Sequence, residues 1–236
     1  MEPRPYVLLT CTVSIDGCLD DLSDRRLILS TPSHFDHVDE VRAGCDAILV
    51  GAGTVRKDDP GLVVHSPARR AARQARGLPP TPLKVTLTGA GGLPAAARFF
   101  TEGEGGKLVY SASGAVPGLR QRLGQVATIV DAGQPVHLSS ILADLHERGV
   151  RRLLVEGGEI VLTAFLHAGV VDELEVAVAP FVVGEAGAPR LTGSGRLPSQ
   201  EGGRAELADV RRLDDLVLLR YALSPRFRAA AQCQCT

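Results

Sequence analysis

The chain has 236 residues, of which 44% are apolar and 22% are charged, and its formal net charge is −1. These are ordinary values for a globular protein of one large or two small domains. Without a net basic charge, nucleic acid is not an expected partner. No apolar run of 18 residues occurs, so we expect no membrane span.

The cysteines favour a reducing compartment. The chain has five of them, an odd number, and none forms a CxxC pair, which argues against a disulfide framework and against a metal site. The N-terminus, MEPRPYVLLTCTV, lacks a charged leader followed by an adequate apolar stretch. We therefore expect a cytoplasmic protein without a signal peptide or a bound metal.

The first predicted elements are a strand at 6–13 and a helix that Pro32 opens after a loop at 14–29. Phe35, Val38 and Val41 share one face of this helix, and Gly44 should end it. The next predicted strands are 46–50, 83–87, 107–111, 126–130, 152–155 and 172–179. The next predicted helices are 69–76, 117–124, one capped by Ser139 or Ser140 that ends at Gly149, and 158–167.

The C-terminal part breaks this alternation. Residues 183–203 are rich in glycine and proline and predict a long loop, and 204–212 and 216–223 predict an antiparallel pair of strands. The whole pattern predicts an α/β fold of three layers, with a mainly parallel sheet and antiparallel C-terminal strands. No linker is visible, so we expect a single domain over 1–223 and a flexible tail over 224–236.

Two glycine-containing stretches follow predicted strands: LVGAGTVRKDDPGL at 49–62 and LLVEGGEIVLTAFL at 153–166. In the first we expect a tight turn around Gly53. Arg56 stands where the GxGxxG dinucleotide fingerprint needs a third glycine, so that fingerprint fails. In the second, Gly157 and Gly158 would expose backbone N–H groups at a helix N-terminus, which attracts phosphate, although a plain strand-to-helix turn is the alternative. The P-loop, serine-hydrolase and zinc-deaminase motifs are absent.

Several short motifs occur together in this chain. They are Ser14-Ile15-Asp16-Gly17, RAGCDAI at 42–48, VGAGTV at 50–55, DDPGL at 58–62, EGG at 156–158, VDEL at 171–174 and Ala179-Pro180. Their combination resembles the reductase domain of riboflavin biosynthesis, the RibD C-terminal domain, a relative of dihydrofolate reductase. The resemblance covers about residues 5–223 and is strongest at 42–62 and 153–184.

The resemblance implies a fold and an activity. Members of this family have a dihydrofolate-reductase-like fold. They use NADPH to reduce 5-amino-6-(5-phosphoribosylamino)uracil, or its 2,5-diamino-pyrimidinone counterpart, to the ribitylamino compound. It also implies a homodimer.

The resemblance assigns site residues as well. The implied cofactor contacts are Thr12, Gly53, Thr54, Asp58, Thr88, Gly157, Gly158, Glu159, Ile160 and Val161. The implied substrate contacts are Arg26, Arg42, Leu62, His65 and Glu156. A proton must accompany the hydride, and Asp58 and Glu156 are the candidate catalytic acids. Arg42, then His65 and Arg26, are the candidates for the substrate's 5′-phosphate.

The chain departs from the pattern of the fused bacterial members at several positions. They are Arg26, Ile28, His65, Thr88-Gly89 and Gly184-Glu185. These departures bear on the exact substrate more than on the cofactor.

Plainer interpretations remain open for individual residues. Asp58 could cap a turn, Glu156 could be a satisfied buried acid, and Asp16 could serve the turn in which it lies. The basic run Arg69, Arg70, Arg73 and Arg76 could be a solvated face or could adjoin an anionic ligand.

Two other functions also stay open. One is a dihydrofolate-reductase-like enzyme for another pyrimidine or pteridine, and the other is a non-catalytic NADPH-binding protein. Reduction of folate itself is disfavoured because the chain has no tryptophan, which folate reductases usually place near the active site.

Overall fold

The computed structural model describes residues 3–193 and 204–228. Two compact units make up this chain. The first unit contains the N-terminal residues up to Pro5 together with His37–Leu154, and the second contains Tyr6–Asp36 together with the chain from Val155 onward.

Strands and helices alternate along most of the chain. The strands are β1 (Tyr6–Ser14), β2 (Ala47–Gly51), β3 (Leu83–Thr88), β4 (Lys107–Ser111), β5 (Thr128–Asp131), β6 (Arg152–Gly157), β7 (Glu173–Ala179), β8 (Glu206–Leu213) and β9 (Leu216–Ala222). The helices are α1 (Pro32–Ala43), α2 (Ala52–Asp58), α3 (Pro67–Ala75), α4 (Arg98–Thr101), α5 (Val116–Leu123), α6 (Leu138–Glu147) and α7 (Glu159–His167). A 3₁₀ turn, Ser113–Ala115, precedes α5.

The first unit contains four strands that pair in parallel. β2 pairs with β3, β3 with β4 and β4 with β5. Every residue of β2 is buried, as expected of a strand inside a parallel sheet that is covered on both faces. The registers place Gly51 opposite Leu87 and Thr88 opposite Ser111, so the carboxyl ends of β2, β3 and β4 lie at one edge.

The second unit combines parallel and antiparallel pairing. β1 runs parallel to β7, whereas β7 pairs antiparallel with β9 and β9 with β8. Its apolar core contains Leu29, Ala177, Ala179, Leu216 and Leu218. The prediction of an α/β fold that is mainly parallel with antiparallel C-terminal strands is therefore confirmed.

Helix α1 begins at Pro32 as predicted, and Val38 and Val41 of its expected face are half-buried. Phe35 is 51% exposed, whereas His34, His37 and Asp39 are buried. The apolar spacing indicated the buried residues only in part, because polar side chains with hydrogen-bond partners fill much of the buried side. His34, for example, has its Nδ1 3.0 Å from the hydroxyl of Ser30.

Two further local predictions were wrong, and one short helix was not predicted at all. The stretch expected to turn around Gly53 is helical, because α2 begins at Ala52 immediately after β2. Neither Ser139 nor Ser140 caps α6, which begins at Leu138 with His137 at the N-cap position and no side-chain cap. The short helix α4 was not predicted, because four residues are too few to show a helical period.

The single domain over 1–223 stays a prediction. Of the expected flexible tail, Ser224 and Arg226 are described, and both donate hydrogen bonds to the buried Asp172, at 2.6 and 3.1 Å. Residues 229–236 of that tail, and 194–203 of the expected long loop, lie outside the described residues.

The described part of the chain has neither a helix suited to a membrane nor a cluster of metal ligands. None of the helices within 3–193 and 204–228 combines the length and apolarity that crossing a bilayer requires. The same ranges contain no group of three or more histidine, cysteine, aspartate or glutamate side chains arranged to hold a metal ion.

Candidate active site

The carboxyl edge of β2, β3 and β4 contains three of the predicted cofactor contacts. Gly53 and Thr54 lie in the first turn of α2, and a Cβ added at Gly53 would meet no atom within 4 Å. Thr88 ends β3 and is buried, and its hydroxyl accepts the N–H of Gly91 at 2.9 Å. Ligands of parallel α/β sheets bind outside the carboxyl ends of the strands, so the first unit brings these residues to the expected edge.

Asp58 is the last residue of α2 and is half-buried. The adjacent Asp59 takes a left-handed conformation, with φ of 43°, and its carboxylate accepts the N–H of Arg98 at 2.7 Å. Arg98 is the first residue of α4, so Asp59 satisfies a free N–H group of that helix. Asp59 thus caps α4, and the turn role considered for Asp58 stays a prediction.

Three predicted substrate contacts lie together at the segment 62–66, hereafter the substrate loop. Leu62 is 2% exposed and has a φ of 49°, a conformation that L residues other than glycine rarely adopt. Arg42, in the last turn of α1, donates from Nη1 to the carbonyl of Val63 at 3.3 Å. The side chain of His65 is exposed. Strained backbone of this kind is concentrated at binding sites.

Asp39 holds the substrate loop in place from α1. Its carboxylate accepts the backbone N–H of His65, the N–H of Ser66 at 3.1 Å, and an N–H of Arg69 at 3.1 Å. Burial alone would raise the pKa of Asp39, but these donors outweigh it and lower the pKa below its usual value. Asp39 has no local sequence signal, because its partners lie 26 to 30 residues further along the chain.

Within the basic run at 69–76, Arg73 belongs neither to a solvated face nor to a ligand site. Arg73 is buried and donates to the carbonyls of Pro79, Ala43 and Cys45 at 2.7–2.8 Å. Arg70 donates to the carbonyls of Val64 and His65. Arg70 therefore stabilises the substrate loop, and Arg73 stabilises the end of α1.

In the second unit, the predicted glycine pair joins β6 to α7: Gly157 ends the strand and Gly158 is the N-cap of the helix. Gly157 and Gly158 have φ values of 122° and 26°, which side chains disfavour, and a Cβ added at Gly157 would meet no atom within 4 Å. Ile160 is 85% exposed and Val161 is buried. Glu159 lies in the first turn of α7, where its charge complements the helix dipole.

The loops that follow β1 and β7 are joined by hydrogen bonds. The carboxylate of Asp16 accepts the hydroxyl of Ser14 at 2.6 Å and the N–H groups of Val183 and Gly184 at 3.1 and 2.8 Å. These bonds, with that of Ser14 the strongest, lower the pKa of Asp16. Asp16 therefore has the turn role that the sequence left open.

One departure from the family pattern has a structural role in these loops. Glu185, which replaces a glycine, accepts the N–H of Leu22 at 2.7 Å and so joins the two loops. Arg26 is exposed on the first of them, and Thr12 lies in β1 opposite Ala177. Glu185 has no local sequence signal, because its partner is 163 residues away.

The two candidate acids belong to different parts of the chain. Asp58 lies in the first unit, and Glu156 lies in β6, in the part that belongs to the second unit. Glu156 is half-buried. Their joint action, like the roles of the other site residues, stays a prediction.

Comparison with known proteins identifies the family. Residues 5–219 match the RibD C-terminal domain. A 2,5-diamino-6-ribosylamino-4(3H)-pyrimidinone 5′-phosphate reductase of Archaeoglobus fulgidus is 36% identical over 189 residues, 80% of this chain and 86% of the relative. The reductase of the same name from Methanothermobacter thermautotrophicus is 31% identical over 93% of this chain and 99% of the relative.

A solved structure agrees with these relatives. RibD of Acinetobacter baumannii superposes with a TM-score of 0.77 at 26% identity, and the alignment covers 93% of this chain and 58% of that one. The chain thus corresponds to somewhat more than half of that RibD. Because the family match extends over nearly all of its length, this chain belongs to the RibD C-terminal domain family.

Proposed function

We propose that this protein is a reductase of riboflavin biosynthesis that acts in the cytoplasm. Its substrate is the 2,5-diamino-6-(phosphoribosylamino)pyrimidinone or the deaminated uracil, which it reduces to the ribitylamino compound with NADPH. The observation that carries the proposal is the similarity to the two archaeal reductases over most of both chains. Their names favour the 2,5-diamino compound as the better substrate.

Both glycine-containing edges suit a nicotinamide cofactor. Backbone at Gly53 and Gly157 is open to close approach, since an added Cβ at either would meet no atom within 4 Å. The exposed Ile160 offers an apolar surface next to the second edge. When bound, the cofactor would supply the hydride that reduces C1′ of the ring-opened ribosylamine.

The substrate loop suits a phosphorylated ligand. Arg42 is directed towards this loop by its bond to Val63, and a guanidinium is well suited to recognise a phosphate. His65 and the exposed Arg26 are additional cationic candidates. Leu62, whose side chain is buried, would contact the substrate through its backbone. Asp39 keeps the substrate loop in the conformation that these contacts need.

Hydride addition to C1′ leaves a nitrogen or ring oxygen that must receive a proton. Asp58 and Glu156 are the residues to which we assign this proton transfer, directly or through water. Asp58 lies on the α2 segment that also carries Gly53 and Thr54. Separate substitutions of Asp58 and Glu156 would show which of the two acids donates the proton.

The test is an assay of NADPH oxidation with each of the two pyrimidines, followed by nicotinamide absorbance. We expect turnover of at least one pyrimidine and a loss of about a hundredfold or more in kcat for Asp58→Asn. Asp59→Asn is the matched control, because the amide oxygen can still accept the N–H of Arg98. Absence of turnover with both pyrimidines would refute the proposal, and equal losses in the two variants would refute the role of Asp58.

The homodimer is also proposed, through one face of the sheet in the second unit. Three rows of side chains cross this face in register. The rows are Leu174, Tyr221 and Leu207; Val176, Leu219 and Val210; and Val178, Val217 and Arg212. Leu207 and Val210 are about half exposed, and β8 has no buried residue, so its apolar side chains lack cover within the described chain.

An apolar sheet face of this kind is typical of an interface between subunits. We expect light scattering at micromolar concentration to give twice the chain mass. Val210→Lys should lower that mass to the monomer value. A monomeric wild-type protein would overturn the proposed dimer without affecting the proposed activity.

A further inference from the structure

We propose that Arg56 and Arg122 bind the 2′-phosphate of the cofactor and thereby make the enzyme prefer NADPH to NADH. The inference rests on the proposed function and adds the residues that decide between the two dinucleotides. Arg56 lies on α2 and Arg122 on α5, and both reach the segment 89–92, hereafter the glycine loop.

The two guanidinium groups meet the glycine loop at neighbouring residues. Nη1 of Arg56 donates to the carbonyl of Gly92 at 3.3 Å. Nη2 of Arg122 donates to the carbonyl of Gly91 at 2.9 Å. Because these carbonyls belong to consecutive residues, two positive charges that are 66 positions apart in sequence lie on one short loop.

The glycine loop is held on one side and open on the other. The hydroxyl of Thr88 accepts the N–H of Gly91, and an added Cβ at Gly91 would press on Ala115 and Leu119 of the neighbouring turn and helix. By contrast, an added Cβ at Gly89 or Gly92 would meet no atom within 4 Å. The loop thus has a defined backbone conformation and leaves room for a ligand beside it.

The position of the glycine loop suits the adenosine end of a dinucleotide. It continues from the carboxyl end of β3, on the edge that also carries Gly53 and Thr54 of α2. Ligands of open parallel sheets bind outside the carboxyl ends of the strands. Arginine is the residue best suited to recognise a phosphate there, because its planar guanidinium matches phosphate geometry.

The chemistry of the two arginines suits a phosphate dianion. A guanidinium has five N–H donors, and the hydrogen bond to the loop occupies one donor of each group. Both side chains are exposed, so other donors can reach phosphate oxygens. NADH lacks this phosphate, so its affinity should not depend on these charges.

The experiment compares binding by calorimetry in the wild type, Arg56→Ala and Arg122→Ala. The ligands are adenosine 2′,5′-bisphosphate, adenosine 5′-monophosphate, NADPH and NADH. We expect the wild type to bind the two 2′-phosphorylated ligands at least tenfold more tightly than their counterparts. Each variant should lose roughly tenfold or more in affinity for them and less than twofold for the others.

Arg120→Ala is the matched control, since Arg120 is an exposed arginine of the same helix for which no bond to the glycine loop is found. Equal losses for NADPH and NADH would mean that the arginines only shape the loop, which would overturn the inference. Unchanged binding in both variants, the same loss in Arg120→Ala, or a wild-type preference for NADH would overturn it too. Turnover of the pyrimidines is measured separately, so a failure of the proposed reaction leaves this binding result interpretable.

Discussion

Replacing Asp39 by asparagine tests whether one buried carboxylate holds the substrate loop. Asparagine keeps the shape and one acceptor oxygen, but it places an NH₂ group where a carboxylate oxygen now receives an N–H. The carboxylate has three donors, from His65, Ser66 and Arg69, and is 5% exposed. Hydrogen bonds to charged groups contribute about 1.5–3 kcal/mol, and leaving a buried N–H donor without an acceptor costs a similar amount. We therefore expect the free energy of unfolding to fall by about 3 kcal/mol.

Urea unfolding at neutral pH measures this loss, and the KM for the pyrimidine should rise more than kcat falls. Glu40→Gln is the control, because Glu40 is exposed and adjacent in sequence. The pKa of Asp39 is lowered by folding, so its contribution is present above the ordinary value of 3.8 and is lost as the pH falls through the folded-state pKa. A free energy of unfolding within about 0.5 kcal/mol of the wild type would refute this account of the loop.

Two further predictions concern stability. Gly157→Ala should destabilise the protein by about 1–3 kcal/mol, because a φ of 122° is strained for alanine. Gly53→Ala should stabilise it by about 0.5–1 kcal/mol, because Gly53 is helical and has open space beside it. Urea midpoints that change in the same direction in both variants would contradict the two conformations. Lys84 is buried, and burial lowers its pKa from 10.5 to about 8. A base with a lowered pKa binds its proton more weakly when folded, so its contribution to stability should grow as the pH rises from 8 to 10.5. Lys84→Met should remove this rise from urea titrations at several pH values, and identical pH dependence in the variant and the wild type would show that Lys84 does not titrate there.

The strands were the most predictable part of the fold. The run at β2 is apolar from end to end, and β6 has an apolar centre at 153–155, as expected of strands in a covered parallel sheet. Glycine and proline mark the ends of these runs, because they stop pairing and helix formation alike. The alternation of elements, and hence the fold class, follows from these local properties.

Helix faces and caps were less predictable. In α1 the apolar spacing indicated Phe35, Val38 and Val41, yet the helix buries His34, His37 and Asp39. A polar side chain can be buried without a large cost only where it has a hydrogen-bond partner. The partners of Asp39 come from a loop and a helix about 30 residues later in the chain. No window of sequence around α1 contains that information.

The candidate site also has features that the sequence indicates and features that only the tertiary structure shows. Local chemistry in the sequence indicated the glycine turn at 157–158 and the position of α7 after β6, whereas the candidate acids and cations came from the resemblance to the reductase family. Only the tertiary structure decided that Arg73 is an internal support, that Asp16 and Glu185 join loops 163 or more residues apart, and that Arg56 and Arg122 share the glycine loop. The physical reason is that backbone preference is set by neighbours in sequence, whereas the role of a charge is set by the donors and acceptors that folding brings to it.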